Sequence, residues 1–211
     1  MSRETWSFDK EAASWDQNPG RVKLAHDIAQ AISEERILTP EMDVLEFGCG
    51  TGLLTVLLSP HVRSVTGVDS SQGMLDVLRG KIEGDGLTNI RAQYLDIEKG
   101  DSLEGAYDLV VCSMTLHHVR ETKPLLELFH TITAPRGYVC LADLDPDDGQ
   151  FHGKNDTVFH AGFDRATLRE ALLQVGFEDI RVRTAAQVVK PIPDGGSRSF
   201  GIFLMIGRKR G

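Results

Sequence analysis

Cysteine is scarce in this sequence, with three in 211 residues, at positions 49, 112 and 140. An odd and widely spaced set supports neither a disulfide framework nor a zinc motif, and it suits a reducing, cytoplasmic location. Long hydrophobic runs are missing too. The densest apolar stretch, residues 52–58, falls far short of the roughly 20 residues that cross a bilayer. The first twenty residues mix charged, aromatic and small side chains, without the apolar core of a secretory leader. Positive charge is in deficit, 23 Lys and Arg against 31 Asp and Glu, for a net charge of -8. That balance argues against a nucleic-acid partner. The one basic cluster, Arg208-Lys209-Arg210, reads as a solvated tail. What remains, 41% apolar and 26% charged residues, is the make-up of an ordinary globular domain, and the length suits a single one.

Periodicity supplies the architecture. Residues 20–38 carry helical spacing, with Leu24, Ile28 and Ile32 on one face, and Pro40 stops the helix. Residues 43–47 form a short apolar run ending in glycines, hence a buried strand, followed by a helix over 51–58. A second strand at 62–68 ends at Asp69, where Ser70 and Ser71 are candidate helix caps. Strands at 90–95, 107–113 and 137–144 alternate with helices carrying Met74, Leu75 and Leu78, then 124–132, then 164–175 closed by Gly176. Two β-rich stretches, 180–189 and 200–206, finish the chain. The pattern predicts a doubly wound, Rossmann-like α/β fold. Only the turn-rich segment 191–199 separates the last two strands, so the final strand is expected to run antiparallel.

The most informative segment is Val44-Leu45-Glu46-Phe47-Gly48-Cys49-Gly50-Thr51-Gly52. A glycine turn between strand and helix lets a ligand approach main-chain N–H groups. The third glycine follows the second by two residues, not the three of the dinucleotide fingerprint. Glu46, two places before Gly48, would repel a pyrophosphate and attract an ammonium. Asp69 lies 21 residues after Gly48 and can accept from ribose hydroxyls. Asp96 ends the third strand. Each acid alone is ordinarily a solvated strand end or a helix cap. Three of them at the C-terminal ends of successive strands mark the edge where open α/β sheets bind ligands.

Segments 44–52, 65–69, 95–97 and 107–118 together resemble the successive motifs of class I S-adenosylmethionine-dependent methyltransferases, in the broad group that includes the ubiquinone/menaquinone-biosynthesis enzymes. The resemblance spans roughly residues 9–207 and implies a seven-stranded sheet, mostly parallel, with the last strand antiparallel. It implies S-adenosylmethionine as cofactor, with S-adenosylhomocysteine as product. Gly48, Cys49, Gly50 and Gly52 would line its methionine part, with Glu46 serving the ammonium directly or through water. Asp69 would hold the ribose, Ser70 and Met74 would flank the adenine, Asp96 and Ile97 would bind its amino group and ring, and Ser113 would lie by the methionine.

Methyl transfer from a sulfonium needs a nucleophile held close and in line, and a base only where that nucleophile arrives protonated. Candidates for the acceptor side are His117 and His118 after the fourth strand, and His152 and His160 in the long segment 144–163. The first pair reads as base and substrate-orienting groups or as ordinary loop packing. The second pair reads as bases or acceptor contacts; aspartates 143, 145, 147 and 148 beside them make metal ligation conceivable, but carboxylates at a turn are usually solvated or capping, so no metal is expected. That acidity hints at a polar or cationic small-molecule acceptor. The aromatic N-terminal stretch containing Trp6, Phe8 and Trp15 suggests either a lid formed by residues 1–20 or ordinary packing against the sheet edge. Competing readings are a non-catalytic cofactor sensor or partner-dependent subunit, an oxidoreductase (disfavoured by the glycine spacing) and aminopropyl transfer (in which Glu46 would lose its ammonium). Oligomeric state is not legible.

Overall fold

The computed structural model describes residues 7–153, 155–191 and 195–211. It contains a seven-stranded sheet of order β3-β2-β1-β4-β5-β7-β6. The strands are β1 (Asp43–Phe47), β2 (Ser64–Asp69), β3 (Ile90–Tyr94), β4 (Tyr107–Ser113), β5 (Thr133–Leu144), β6 (Phe177–Pro191) and β7 (Ser197–Lys209). Strands β1 to β5 pair in parallel, and β7 lies antiparallel between β5 and β6. The expected antiparallel last strand is therefore present, and it is inserted one place inside the edge.

Helices cover both faces: α2 (Pro19–Glu34) and α3 (Leu53–Leu58) on one, α5 (Thr122–Ile132) and α6 (Arg165–Gln174) on the other. The period-2 alternation of strand side chains divides the core accordingly. Val44, Val111, Cys140 and Leu204 pack with α2 and α3, while their neighbours Leu45, Val110, Leu141 and Phe203 pack with α5 and α6. Central strands buried on two faces are apolar at most positions, which is why these segments read as near-continuous hydrophobic runs, with the buried Glu46 on β1 as the exception that belongs to the site. A smaller cluster of Cys49, Leu75, Leu78 and Ile90 seats α4 (Gln72–Gly84) beside β3. No helix among the described residues is long and apolar enough to cross a membrane.

Several element limits differ from expectation. The first long helix starts at Pro19, because the Asn18 side chain accepts from the N–H groups of Gly20 and Arg21. It ends at Glu34, not residue 38, since Arg36 turns left-handed at φ 56° and sends Ile37 into the core. The helix expected from residue 51 begins at Leu53, because Gly52 has φ 79°. Strand β5 begins four residues before the expected position 137 and crosses an irregular register against Tyr107 and Leu109. Strands β6 and β7 are longer than their apolar centres, because their hairpin pairing continues to Pro191 and Ser197. The three cysteines are free and buried.

Candidate functional site

The chain crosses from β1 to β2 on one side of the sheet and to β4 on the other, so a crevice opens at the C-terminal ends of β1 and β4. The glycine loop sits there. Its conformation is held by N–H groups of Gly48 and Cys49, which donate to the Val68 carbonyl at 2.8 and 3.0 Å. Gly48, Gly50 and Gly52 all have positive φ, but they face different surroundings. A Cβ on Gly48 would collide with Thr115, and one on Gly52 with Leu78, whereas a Cβ on Gly50 would meet nothing within 4 Å. Gly50 therefore borders open space, as a cradle for a ligand requires. Cys49 contributes backbone only: its thiol is buried and lies where a Cβ on Gly67 would sit, and burial pushes it up, away from thiolate.

Two acids flank the cradle. Glu46 is buried, and its carboxylate accepts a short hydrogen bond from the Thr55 hydroxyl. Desolvation, reinforced by the charge of Asp69, pushes its pKa up to about 8. A carboxyl in that condition gains from a nearby cation. Asp69 accepts from the Gly50 N–H and the Ser71 N–H, both at 2.8 Å, so it ties the glycine loop to the start of α4. Burial raises its pKa as well. Ser71, not Ser70, is the helix cap, accepting from the Met74 N–H. Ser70 is exposed and Met74 fully buried.

Asp96 is the least free of the expected contacts. Its side chain caps the short turn Ile97–Lys99 by accepting from Glu98 and Lys99 N–H groups, and Lys99 Nζ lies 2.8 Å away. Ile97 packs on the core edge, and the Ser113 carbonyl accepts from Thr115.

The N-terminal stretch lies across this edge. Trp6 falls outside the described residues. The helix α1 (Phe8–Glu11) and the following turn, Ala12–Gln17, are anchored by two aspartates. Asp9 accepts from the Ser71 hydroxyl and the Gly73 N–H at 2.6 and 2.8 Å. Asp16 accepts from the Thr51 hydroxyl and pairs with Lys81, both at 2.6 Å. Phe8 packs between Trp15 and His118, and Arg21 covers Trp15.

Three of the four expected histidines come together. The rings of His117 and His118 are 4.1 Å apart, and His152 lies 4.6 Å from the first and 5.6 Å from the second. His117 Nδ1 is 2.7 Å from the buried carboxylate of Asp143, and His118 Nδ1 is 2.8 Å from the Thr157 carbonyl. Burial pulls His118 down to about 4 and His152 to about 3, so both are neutral at ordinary pH. The ring of His160 is turned elsewhere, with Nε2 at 2.9 Å from the Val119 carbonyl and Phe163 beside it. The carboxylates after β5, whose acidity hinted at a polar or cationic acceptor, are not free. Asp145 is bidentate to Arg165, Asp147 accepts from Gly149 and Phe151 N–H groups, and Asp148 faces Arg198.

Thr55, Thr115, Lys81 and the anchoring roles of Asp9 and Asp16 are not visible in the linear motif. Their partners lie in other elements, up to 67 residues away for Thr115 and Gly48.

A family model described as a methyltransferase domain matches residues 20–182. An uncharacterized methyltransferase of Schizosaccharomyces pombe is 27% identical over 176 residues, covering 70% of this chain and 62% of its own. A ubiquinone biosynthesis O-methyltransferase of Coxiella burnetii is 31% identical over 145 residues, covering 67% of this chain and 62% of its own. The chain thus spans about 62% of the length of these curated relatives. Among solved structures, the phosphoethanolamine N-methyltransferase 2 of Haemonchus contortus, in complex with S-adenosyl-L-methionine, superposes with a TM-score of 0.68 at 14% identity. That match covers all of this chain and 62% of the other.

Proposed function

The chain belongs to the methyltransferase domain family, and from that premise we propose that it binds S-adenosylmethionine at the β1 and β4 edge and transfers the methyl group to a small-molecule acceptor. The observation that carries this reading is the open space over Gly50 between a buried, cation-seeking Glu46 and the loop-ordering carboxylate of Asp69. The amino-acid ammonium would be drawn toward Glu46, and the ribose would sit by Asp69, exchanging hydroxyl donors for part of its present backbone contacts. In its ionised form Glu46 would attract an ammonium and repel a phosphate, which favours an amino-acid-bearing ligand over a dinucleotide. The Haemonchus complex has the same fold with this cofactor bound.

The reaction would be an in-line displacement: the acceptor's lone pair forms the new bond to the methyl carbon, and the C–S pair leaves to sulfur, giving S-adenosylhomocysteine. The acceptor would approach from the side of His118, against which Phe8 packs, and the segment 7–17 would act as a lid. His118 and His152, neutral and clustered, would orient a hydroxyl or amine. His160, hydrogen-bonded to Val119, would only brace the loop. Incubation with methyl-labelled S-adenosylmethionine and a panel of phenols, amines and thiols tests this directly. Acceptor-dependent S-adenosylhomocysteine formation is expected. Tight cofactor binding with no turnover on any acceptor would favour a sensor or partner-dependent subunit instead.

A further inference from the structure

Among the described residues, His117, His118 and His152 form a group of metal-competent side chains whose donor atoms all lie within 4.8 Å of one another. Two come from the turn after β4 (Leu116–His118), and the third comes from the segment leaving β5. The outer nitrogens of the first two are already assigned. A carboxylate and a carbonyl can only accept, so His117 Nδ1–H donates to Asp143 at 2.7 Å and His118 Nδ1–H donates to Thr157 at 2.8 Å. That leaves each Nε2 with its lone pair. Asp143 is itself fixed, accepting from the backbone N–H groups of His117 and Leu144. Two ring nitrogens in the group, Nε2 of His117 and Nε2 of His152, are buried without any hydrogen-bond partner. Orphaned buried polar atoms are costly and uncommon, and two in one cluster call for a shared ligand.

We propose that His117, His118 and His152 bind a late first-row divalent cation of the zinc class, with Asp143 and Thr157 as outer partners that fix the ring tautomers. Three imidazole nitrogens select such an ion over magnesium or calcium, which take oxygen ligands. Carboxylate–histidine–metal relays of this form are the usual outer arrangement. Metal–nitrogen distances of about 2.0–2.1 Å require the donor atoms, now within 4.8 Å of one another, to draw closer together on the ion. Three protein ligands leave a tetrahedral ion one further position, for water or an acceptor oxygen. The site also links the segment after β5 to the tip of β4, giving His152 a fixed place. It does not depend on the cofactor reading, since none of its atoms belongs to the glycine loop or its acids; with the ion bound, His118 and His152 would act on an acceptor through the ion and not by direct contact.

The test is titration of the chelator-stripped full chain with Co²⁺, followed by Zn²⁺. Expected are saturable visible absorption bands of a four-coordinate nitrogen site at one ion per chain, displaced by Zn²⁺. Affinity should fall by about 10–100-fold in Asp143→Asn and by more in His152→Ala, and should be unchanged in His61→Ala, whose ring precedes β2 at the opposite edge of the sheet. Circular dichroism of His152→Ala verifies that the variant folds; where it does not, His152→Gln takes its place. Lack of a saturable spectrum, or equal affinity in folded wild type and position-152 variants, would overturn the proposal. S-adenosylmethionine binding measured on the same samples reports separately on the cofactor site.

Discussion

Gly50 and Gly52 share a left-handed backbone, at φ 54° and 79°, yet they are glycines for different reasons. At Gly52 a methyl group would be driven into Leu78, which is fully buried. Gly52→Ala should therefore cost about 1–3 kcal/mol from overpacking, added to the left-handed penalty of about 1–2 kcal/mol, read as a lower denaturant midpoint. Gly50→Ala carries only the second cost, because the space beyond it is open. Its main effect is expected on ligand affinity, so the ratio of binding loss to stability loss separates the two variants. Glu46 supplies a pH signature. Its folded pKa of about 8 lies above its ordinary 4.5, so the neutral carboxyl stabilises the free protein fully below pH 4.5, and that contribution disappears as pH rises through 8. An ammonium favours the charged form, so binding at pH 7 should release about one proton. Calorimetry in buffers of different ionisation enthalpy measures this, and Glu46→Gln should abolish the release and flatten the loss of stability between pH 4.5 and about 8.

At the scale of elements, the N-terminal segment and the β6–β7 hairpin do opposite work. The first is held on an exposed edge by polar anchors and by the packing of Phe8 between Trp15 and His118, so local opening is expected to cost less than global unfolding. Asp9→Ala removes two acceptor contacts at the start of α4, and Asp16→Ala removes those to Thr51 and Lys81. Either should raise hydrogen exchange in residues 7–17 with little change in global stability, and bound cofactor should restore protection. The second is core: Phe203 is completely buried on β7, and Phe203→Ala should cost about 3–5 kcal/mol. Element legibility follows the same division. Strands β1 and β4 are readable to the residue, because a run buried on both faces has no competing pattern. The end of α2 is not, because Ile37 and Leu38 extend the apolar spacing after the backbone has turned at Arg36. Insertion of β7 between β5 and β6 is a long-range choice with no local marker.

For the whole molecule, the doubly wound sheet brings to one edge residues that the chain scatters over more than a hundred positions. The glycine loop and Asp69 were legible because a strand, a glycine turn and an acid recur at fixed spacing. The clustering of His117, His118 and His152 was not, since it depends on how the segment after β5 folds back over β4. The acidic character of that same segment pointed toward a cationic acceptor, but its carboxylates are consumed by Arg165, Arg198 and backbone N–H groups. Charge counted along a chain does not distinguish a free carboxylate from a paired one. The site that remains is a cradle at Gly50 with Glu46 and Asp69 on its flanks. Calorimetric titration with S-adenosylmethionine and S-adenosylhomocysteine, comparing wild type with Asp69→Ala and using NADH as the control ligand, tests it most directly. Saturable binding of both sulfur ligands, weakened at least tenfold in the variant and absent for NADH, is the predicted result. Binding of NADH in place of the sulfur ligands, or no binding of either, would contradict a methyl-donor site.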